Sequence, residues 1–109
     1  MFTCHIINED EFTMVQPEGE LDYGVCHDLE SYVSTNIGAG ARLSFNMEKV
    51  TFLDSAGVGF LVHMKNIAEK RNGTFEMRSL PKSVKMVIDK LALNEFLNVS
   101  NDEAYAVKQ

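Results

Sequence analysis

The chain has 109 residues, the size of one domain, and 45% of them are hydrophobic, a content typical of a soluble globular fold. The formal net charge of −6 argues against a nucleic-acid-binding protein, which needs a basic face, and against docking on anionic lipid. No apolar run approaches the roughly 20 residues that cross a bilayer, so we expect a single domain over residues 1–109 with no direct membrane insertion.

Cysteine usage and the first residues bear on the compartment. Residues 1–10 lack the basic start and the long apolar stretch of a signal peptide. Cys4 and Cys26 form no CxxC pair. We therefore expect two free thiols in a reducing cytoplasm.

The chain opens with the pattern of a β-hairpin. Residues 1–7 and 12–16 mix apolar and polar positions as strands do, and a polar turn separates them. Pro17 cannot donate a ladder hydrogen bond, so the second strand should end there or lie exposed at its end.

The first helix is expected from Tyr23 to Ile37. Asp22 precedes it as a predicted N-cap, and the run Gly38–Gly40 stops it. Apolar residues at near-helical spacing predict its buried stripe: Val25, Leu29, Tyr32, Val33 and Ile37.

The middle of the chain predicts a strand, a β-prone segment and a helix. Residues 42–47 alternate as a strand, with Leu43, Phe45 and Met47 on one face. A helix from Ser55 to about Arg71 has the best-defined apolar stripe: Phe60, Leu61, Met64, Ile67 and Ala68.

The last third adds two strands and two helices. Residues 74–79 alternate, with Phe75 and Met77 inward, and Pro81 opens a helix with a stripe at Val84, Val87, Ile88 and Leu91. Residues 95–99 predict a short strand, and residues 101–107 a final helix. Alternating strands and helices predict an α/β fold: a mixed four- to five-stranded sheet with about four helices.

The junction at Asp54 and Ser55 is the stretch with chemical potential. A β-prone segment, Val50–Asp54, runs directly into a helix, and Ser55 is a predicted N-cap beside unpaired helical N–H groups. Such a helix end favours an anion. Strand-to-helix turns also end in Asp or Ser simply because both residues cap helices, so the residues alone favour Ser55 as only a cap.

The sequence offers no assembled active site. His5, His27 and His63 are scattered without metal-ligand spacing. Ser55 lacks the GxSxG setting of a hydrolase nucleophile, and no glycine-rich loop ends in Lys-Ser or Lys-Thr. We expect neither catalysis nor a cofactor.

Three segments together resemble a known family. Gly19–Asp22 precedes the first helix, Asn46–Gly57 spans the central junction, and the later pieces 81–85 and 91–93 also fit. The chain resembles the STAS domain, and within it the stand-alone bacterial anti-sigma factor antagonists. Asp-Ser-x-Gly in this context is the specific part of the match.

The resemblance implies a phosphoswitch in transcription regulation. In that family the serine after the aspartate, here Ser55, is phosphorylated by the partner, an anti-sigma factor or switch-type serine kinase. Phosphorylation releases the partner, and a separate PP2C-like phosphatase resets the switch. The chain would thus be a substrate and a binder, not an enzyme.

The expected docking face joins the junction to the start of the first helix. Its acidic character predicts a partner with a basic patch. Its residues are Glu20, Asp22, Tyr23, Asp54, Ser55, Ala56 and Gly57.

Two other functions stay open. Ala56 also occurs in family relatives that serve as accessory subunits of lipid-transporting ABC systems, in which Ser55 would be only a helix cap. Alternatively, the helix end at Ser55 could serve an enzyme or a small-ligand binder as an anion site, a function that predicts phosphate or nucleotide binding by the isolated chain.

Overall fold

The computed structural model describes residues 2–100 as five strands and three helices. The strands are β1 (Thr3–Glu9), β2 (Phe12–Leu21), β3 (Arg42–Asn46), β4 (Val50–Leu53) and β5 (Thr74–Arg78). The helices are α1 (Tyr23–Ser34), α2 (Ser55–Lys70) and α3 (Lys82–Lys90). The fold is therefore the predicted α/β class with a mixed sheet.

The sheet is organised on β2, the longest strand. β1 pairs with it antiparallel, whereas β3 and β4 both run parallel to it. β3 pairs with residues 12–15 of β2, and β4 pairs with residues 19–21. β5 then extends the sheet beyond β3, which gives the order β1-β2-β3-β5 with β4 beside the end of β2.

Pro17 does not end the second strand, so that prediction was wrong. It is buried in the middle of β2, opposite Cys4. On the other edge of β2 the β3 ladder stops at Val15 and the β4 ladder starts at Gly19. Pro17 falls in the gap between the two ladders, where its missing N–H leaves no partner strand unsatisfied.

The core is one continuous cluster between the sheet and the helices. The ring of Phe45 packs edge-on to that of Phe60, with 5.9 Å between the ring centroids, and against that of Phe75, with 5.7 Å between the centroids. The largest fully buried side chains include Phe45, Leu21, Leu43, Met47, Leu61, Met64, Met77, Ile88, Leu97, Val15, Val33 and Val50. The inward faces predicted for β3, α2 and β5 are thereby confirmed.

Two stripe residues predicted to be buried are instead half-exposed. α1 buries Cys26, Leu29 and Val33, so its inward face passes beside Tyr32. Leu91 is the C-cap of α3 and lies past the last buried position of that helix. Periodicity fixes the width of a stripe only to within one residue on each side, which accounts for both errors.

α1 also ends earlier than predicted, at Ser34 with Thr35 as its C-cap. The Arg71 guanidinium donates to the carbonyl of Ser34 at 2.7 Å and to that of Ile37 at 2.9 Å. A cation from the end of α2 thus binds one carbonyl at the end of α1 and one in the loop that follows it. Ile37 is still buried, but from the loop.

Residues 95–99 do not form the predicted strand. The backbone N–H of Leu97 donates to the carbonyl of Leu93 at 2.9 Å, and Asn98 has a φ of 51°, so the chain curls. A single parallel bridge between Met77 and Val99 is its only sheet pairing among the described residues. The helix predicted over 101–107 lies outside those residues.

Within residues 2–100, none of the three helices combines the length and hydropathy that a membrane-spanning segment requires.

Candidate functional site

Ser55 is the first residue of α2 and is exposed to solvent. The helix is capped by Asp54, whose backbone is extended and whose Oδ1 accepts from the Gly57 N–H at 2.9 Å. The prediction that Ser55 is the N-cap was therefore wrong by one residue. Both residue types cap well, and the N-cap is the one that directly follows the strand. Ser55 is left on the outside of the first turn.

Asp54 also links the two helix starts. Its Oδ2 accepts from the backbone N–H of Tyr23, the first residue of α1, at 3.2 Å. Asp22 caps α1 by accepting from the Val25 N–H at 3.2 Å, as the sequence predicted. One carboxylate thus satisfies donors on both helices, which fixes the start of α1 beside Ser55.

Gly57 is required by a close backbone approach. A Cβ at this position would lie 2.3 Å from the carbonyl oxygen of Leu21 and 2.6 Å from Cδ1 of Leu53. The first turn of α2 therefore rests directly on the ends of β2 and β4. This contact brings Glu20 and Asp22, which flank Leu21 in the chain, close to the helix that carries Ser55.

The seven predicted residues lie at the ends of β2 and β4 and the starts of α1 and α2, and we call this region the Ser55 surface. Glu20 and Ser55 are exposed, and Tyr23 is 81% exposed. Asp22, Asp54 and Ala56 are partly buried. Gly57 is buried and contributes through its close packing on the strand ends. The prediction that these residues form one docking face stays a prediction.

The carboxylates of this region also act on a nearby buried thiol. Burial raises the pKa of the Cys26 thiol to about 11, and the charges of Asp54 and Asp22 act in the same direction. Cys26 is a free thiol, as is Cys4, whose pKa burial also raises to about 11. Both thiols are therefore protonated and weakly nucleophilic near neutral pH.

Phe52 is a surface residue that the sequence analysis missed. Along β4, Val50 pairs with Gly19, but Phe52 pairs with the very next residue of β2, Glu20. Thr51 is thus an extra residue in β4, and both Thr51 and Phe52 are exposed between buried Val50 and Leu53. The available signal was the spacing of three between those two apolar residues, which regular alternation does not give.

A groove of about 510 Å³ separates α1 from α2 and reaches the Ser55 surface at Tyr23 and Ala56. His63 and Glu30 pair across it, with Nε2 and Oε1 2.9 Å apart. His63 is half-exposed. Among residues 2–100, His, Cys, Asp and Glu form no group of three or more arranged to hold a metal ion.

The family model of the STAS domain matches residues 5–106. The chain belongs to the STAS family. The match spans every described strand and helix except the first two residues of β1. The family resemblance seen in the sequence is thereby confirmed.

Solved structures of anti-sigma factor antagonists share the fold at low identity. An anti-sigma factor antagonist from Mycobacterium paratuberculosis is 19% identical, with a TM-score of 0.81 over 99% of this chain and 92% of its own. The unphosphorylated anti-sigma factor antagonist SpoIIAA is 20% identical, with a TM-score of 0.73 over 95% of this chain and 91% of its own. The phosphorylated Bacillus form of SpoIIAA is 22% identical, with a TM-score of 0.62 over 99% and 98%.

Similarity extends to a transporter family. A sulfate transporter family protein from Wolinella succinogenes is 17% identical, with a TM-score of 0.72 over 94% of this chain and 86% of its own. At these identities the likenesses establish the shared fold, which serves both kinds of protein.

Proposed function

We propose that this STAS protein is a phosphoswitch binding module of the anti-sigma factor antagonist type. Its unphosphorylated form binds an anti-sigma factor or switch-type serine kinase in the bacterial cytoplasm. Phosphorylation of Ser55 releases that partner, and a PP2C-like phosphatase restores the binding form. The chain itself is a substrate and a binder, and performs no catalysis.

The observation that carries this proposal is the position of Ser55. Its side chain is exposed at the start of α2, and the capping of that helix is done by Asp54. A kinase can therefore reach the hydroxyl, and phosphorylation does not remove the hydrogen bond that holds the first turn. The modification is expected to leave the fold intact.

Two local electrostatic effects on the phosphorylated protein oppose each other. A phosphate adds roughly −1.5 to −2 charges, which the helix N-terminus stabilises by about 0.3–1 kcal/mol when exposed. The neighbouring Asp54 carboxylate repels the new charge by a comparable order through water. The net effect on folding is expected to be small.

The effect on a bound partner is much larger. A surface packed on Ser55 would have to strip water from a dianion, at a cost of several kcal/mol if no cation pairs with it. Each 1.4 kcal/mol is a tenfold change in affinity. Release of the partner therefore requires that its basic groups pair with the acidic side chains of the Ser55 surface and not with the phosphate.

The deciding experiment is a pull-down from the native cell with Ser55→Ala and Ser55→Asp proteins. Ser83→Asp is the matched control, because Ser83 is also an exposed serine in the first turn of a helix, α3. We expect Ser55→Ala and Ser83→Asp to retain a kinase-like regulator that Ser55→Asp loses. Equal retention by all three proteins would contradict the switch.

The acidic side chains of the Ser55 surface give a second test. Reversing the charge of Glu20 and Asp22 to Lys should weaken binding of the recovered partner, because its basic patch loses its complement. The control is the same reversal at Glu9 and Glu11, exposed residues at the opposite end of β2. Equal affinity of both double variants would move the docking face elsewhere.

The likeness to the Wolinella succinogenes transporter-family protein favours a second candidate. In it the chain is a fixed accessory subunit of a transport complex, including one of the lipid-transporting ABC kind, and Ser55 has no switching role. That function predicts a stable complex that Ser55→Ala and Ser55→Asp proteins retain equally. The same pull-down therefore separates the two candidates.

A further inference from the structure

The extra residue in β4 changes which side chain faces solvent. With regular alternation Val50 and Phe52 would point to the same face, and Phe52 would join the core with Val50. Because Thr51 adds one residue against β2, Val50 and Leu53 are buried instead and Phe52 is 46% exposed. Gly19, where the register shifts, has a φ of 113°, a conformation that favours glycine. Such insertions often redirect a side chain next to a functional site.

We propose that Phe52 is an apolar anchor of the Ser55 surface, on which the switch partner closes an apolar pocket rimmed by positive charge. This inference rests on the proposed function and adds to it the residue that supplies binding energy. The Ser55 surface as predicted from the sequence contains charges, a hydroxyl and one aromatic residue. Phe52 gives it a second aromatic group.

The neighbours of Phe52 support this partner chemistry. Its ladder partner on β2 is the exposed Glu20, so an acidic residue is its neighbour on the adjacent strand. Tyr23, the first residue of α1, is 81% exposed, and its backbone N–H donates to Asp54. Aromatic anchors within a charged rim are the usual source of most binding energy in a protein interface. The acidic rim selects a pocket with basic edges.

The position of Phe52 also links binding to phosphorylation. Ser55 lies three residues further along the chain, at the start of the helix that follows the strand carrying Phe52. A partner that covers the ring must therefore remove water from the edge where the phosphate would sit. Burial of the ring and hydration of the phosphate therefore oppose each other.

The experiment compares two phenylalanines of equal exposure. Phe96 is 45% exposed, and its ring lies 4.3 Å from Nζ of Lys65. Lys65 is ten residues from Ser55 along α2, about 15 Å of helix. The partner recovered with Ser55→Ala is purified and titrated by calorimetry with wild-type, Phe52→Ala and Phe96→Ala proteins. We expect Phe52→Ala to weaken binding at least tenfold and Phe96→Ala less than twofold.

A second variant guards against a folding artefact. Phe52→Thr introduces a β-branched residue, which suits a strand as phenylalanine does, but removes the ring, and thermal unfolding is measured for each protein. We expect Phe52→Thr to lose affinity as Phe52→Ala does while unfolding cooperatively. Binding of either folded Phe52 variant within twofold of wild type overturns the anchor.

The two proposals fail in different ways. Retention of the partner by Ser55→Asp contradicts the switch, whatever Phe52 does. Wild-type affinity of the Phe52 variants, with loss of the partner by Ser55→Asp, contradicts the anchor and leaves the switch standing. Equal losses for Phe52→Ala and Phe96→Ala also overturn the anchor, because the effect would then not be local.

Discussion

The starts of α1 and α2 use the same local chemistry and are held by different forces. Each follows a strand directly, and each is capped by an aspartate that accepts from the backbone N–H three residues later. At α1 that third residue is Val25, which is partly buried, whereas at α2 it is Gly57, pressed on the backbone of Leu21.

This difference teaches that a cap motif alone does not fix a helix start in space. α2 is positioned by contact with the ends of the strands. α1 is positioned from outside, by the second oxygen of Asp54 on Tyr23. The Ser55 surface therefore depends on Gly57 and Asp54 more than on Asp22, and substitutions can test this ranking.

The largest effect is expected from Gly57→Ala. The new methyl would lie 2.3 Å from the Leu21 carbonyl oxygen, which is backbone and cannot turn aside. We expect a loss of about 3 kcal/mol in the free energy of unfolding, measured by urea denaturation. Gly59→Ala is the control, because a Cβ there meets nothing within 4 Å. A neutral Gly57→Ala would show that α2 can lift off the strands without cost.

Asp54→Ala should rank second, because it removes both the cap of α2 and the bond to Tyr23. We expect a loss of about 2 kcal/mol in the free energy of unfolding. Asp54→Asn should lose about half as much, since its amide oxygen still accepts from Gly57 while its NH2 group cannot accept from Tyr23. Equal losses for the two variants would mean that the link between the helices contributes nothing.

Asp22→Ala breaks only the cap of α1. The expected loss is about 1 kcal/mol in the same denaturation experiment, and Asp22→Asn should be close to wild type. A loss as large as that of Asp54→Ala would contradict the ranking of the two helix starts.

The smallest effect is expected from Gly24→Ala, and it has the opposite sign. A Cβ at Gly24 would make only an ordinary contact, 3.6 Å from Oδ1 of Asp22. Since alanine favours a helix over glycine, we expect a gain of about 0.5 kcal/mol, seen as a higher midpoint of thermal unfolding. Destabilisation would show that the start of α1 is packed as tightly as that of α2.

Much of the fold was predictable because strong local signals agreed. The alternation in β3 and β5, the stripe of α2 and the Asp22 cap each follow from residue type and spacing. The errors share another cause. Whether Pro17 can lie inside a strand depends on where two other strands stop, and whether Phe52 faces solvent depends on the register between β2 and β4. The first fact is not local to the sequence that it affects, and the second leaves only one local sign, the spacing of three between Val50 and Leu53.

The candidate site was predictable in membership but not in detail. Asp54 and Ser55 are both good caps, so residue type could not say which one caps α2 and which stays accessible. The cross-link from Asp54 to Tyr23 spans 31 positions of sequence, and no pattern within either helix announces it.

The pair α1 and α2 is fastened at both ends, by Asp54 at the start and by the Arg71 guanidinium on Ser34 and Ile37 at the finish. Two parallel helices that are connected at both ends form a rigid pair. Sliding or pivoting of one helix against the other would have to break a charge-assisted hydrogen bond, so a change at Ser55 is not expected to move α1 relative to α2. Phosphorylation of Ser55 is therefore expected to be sensed only by a molecule in direct contact with the Ser55 surface.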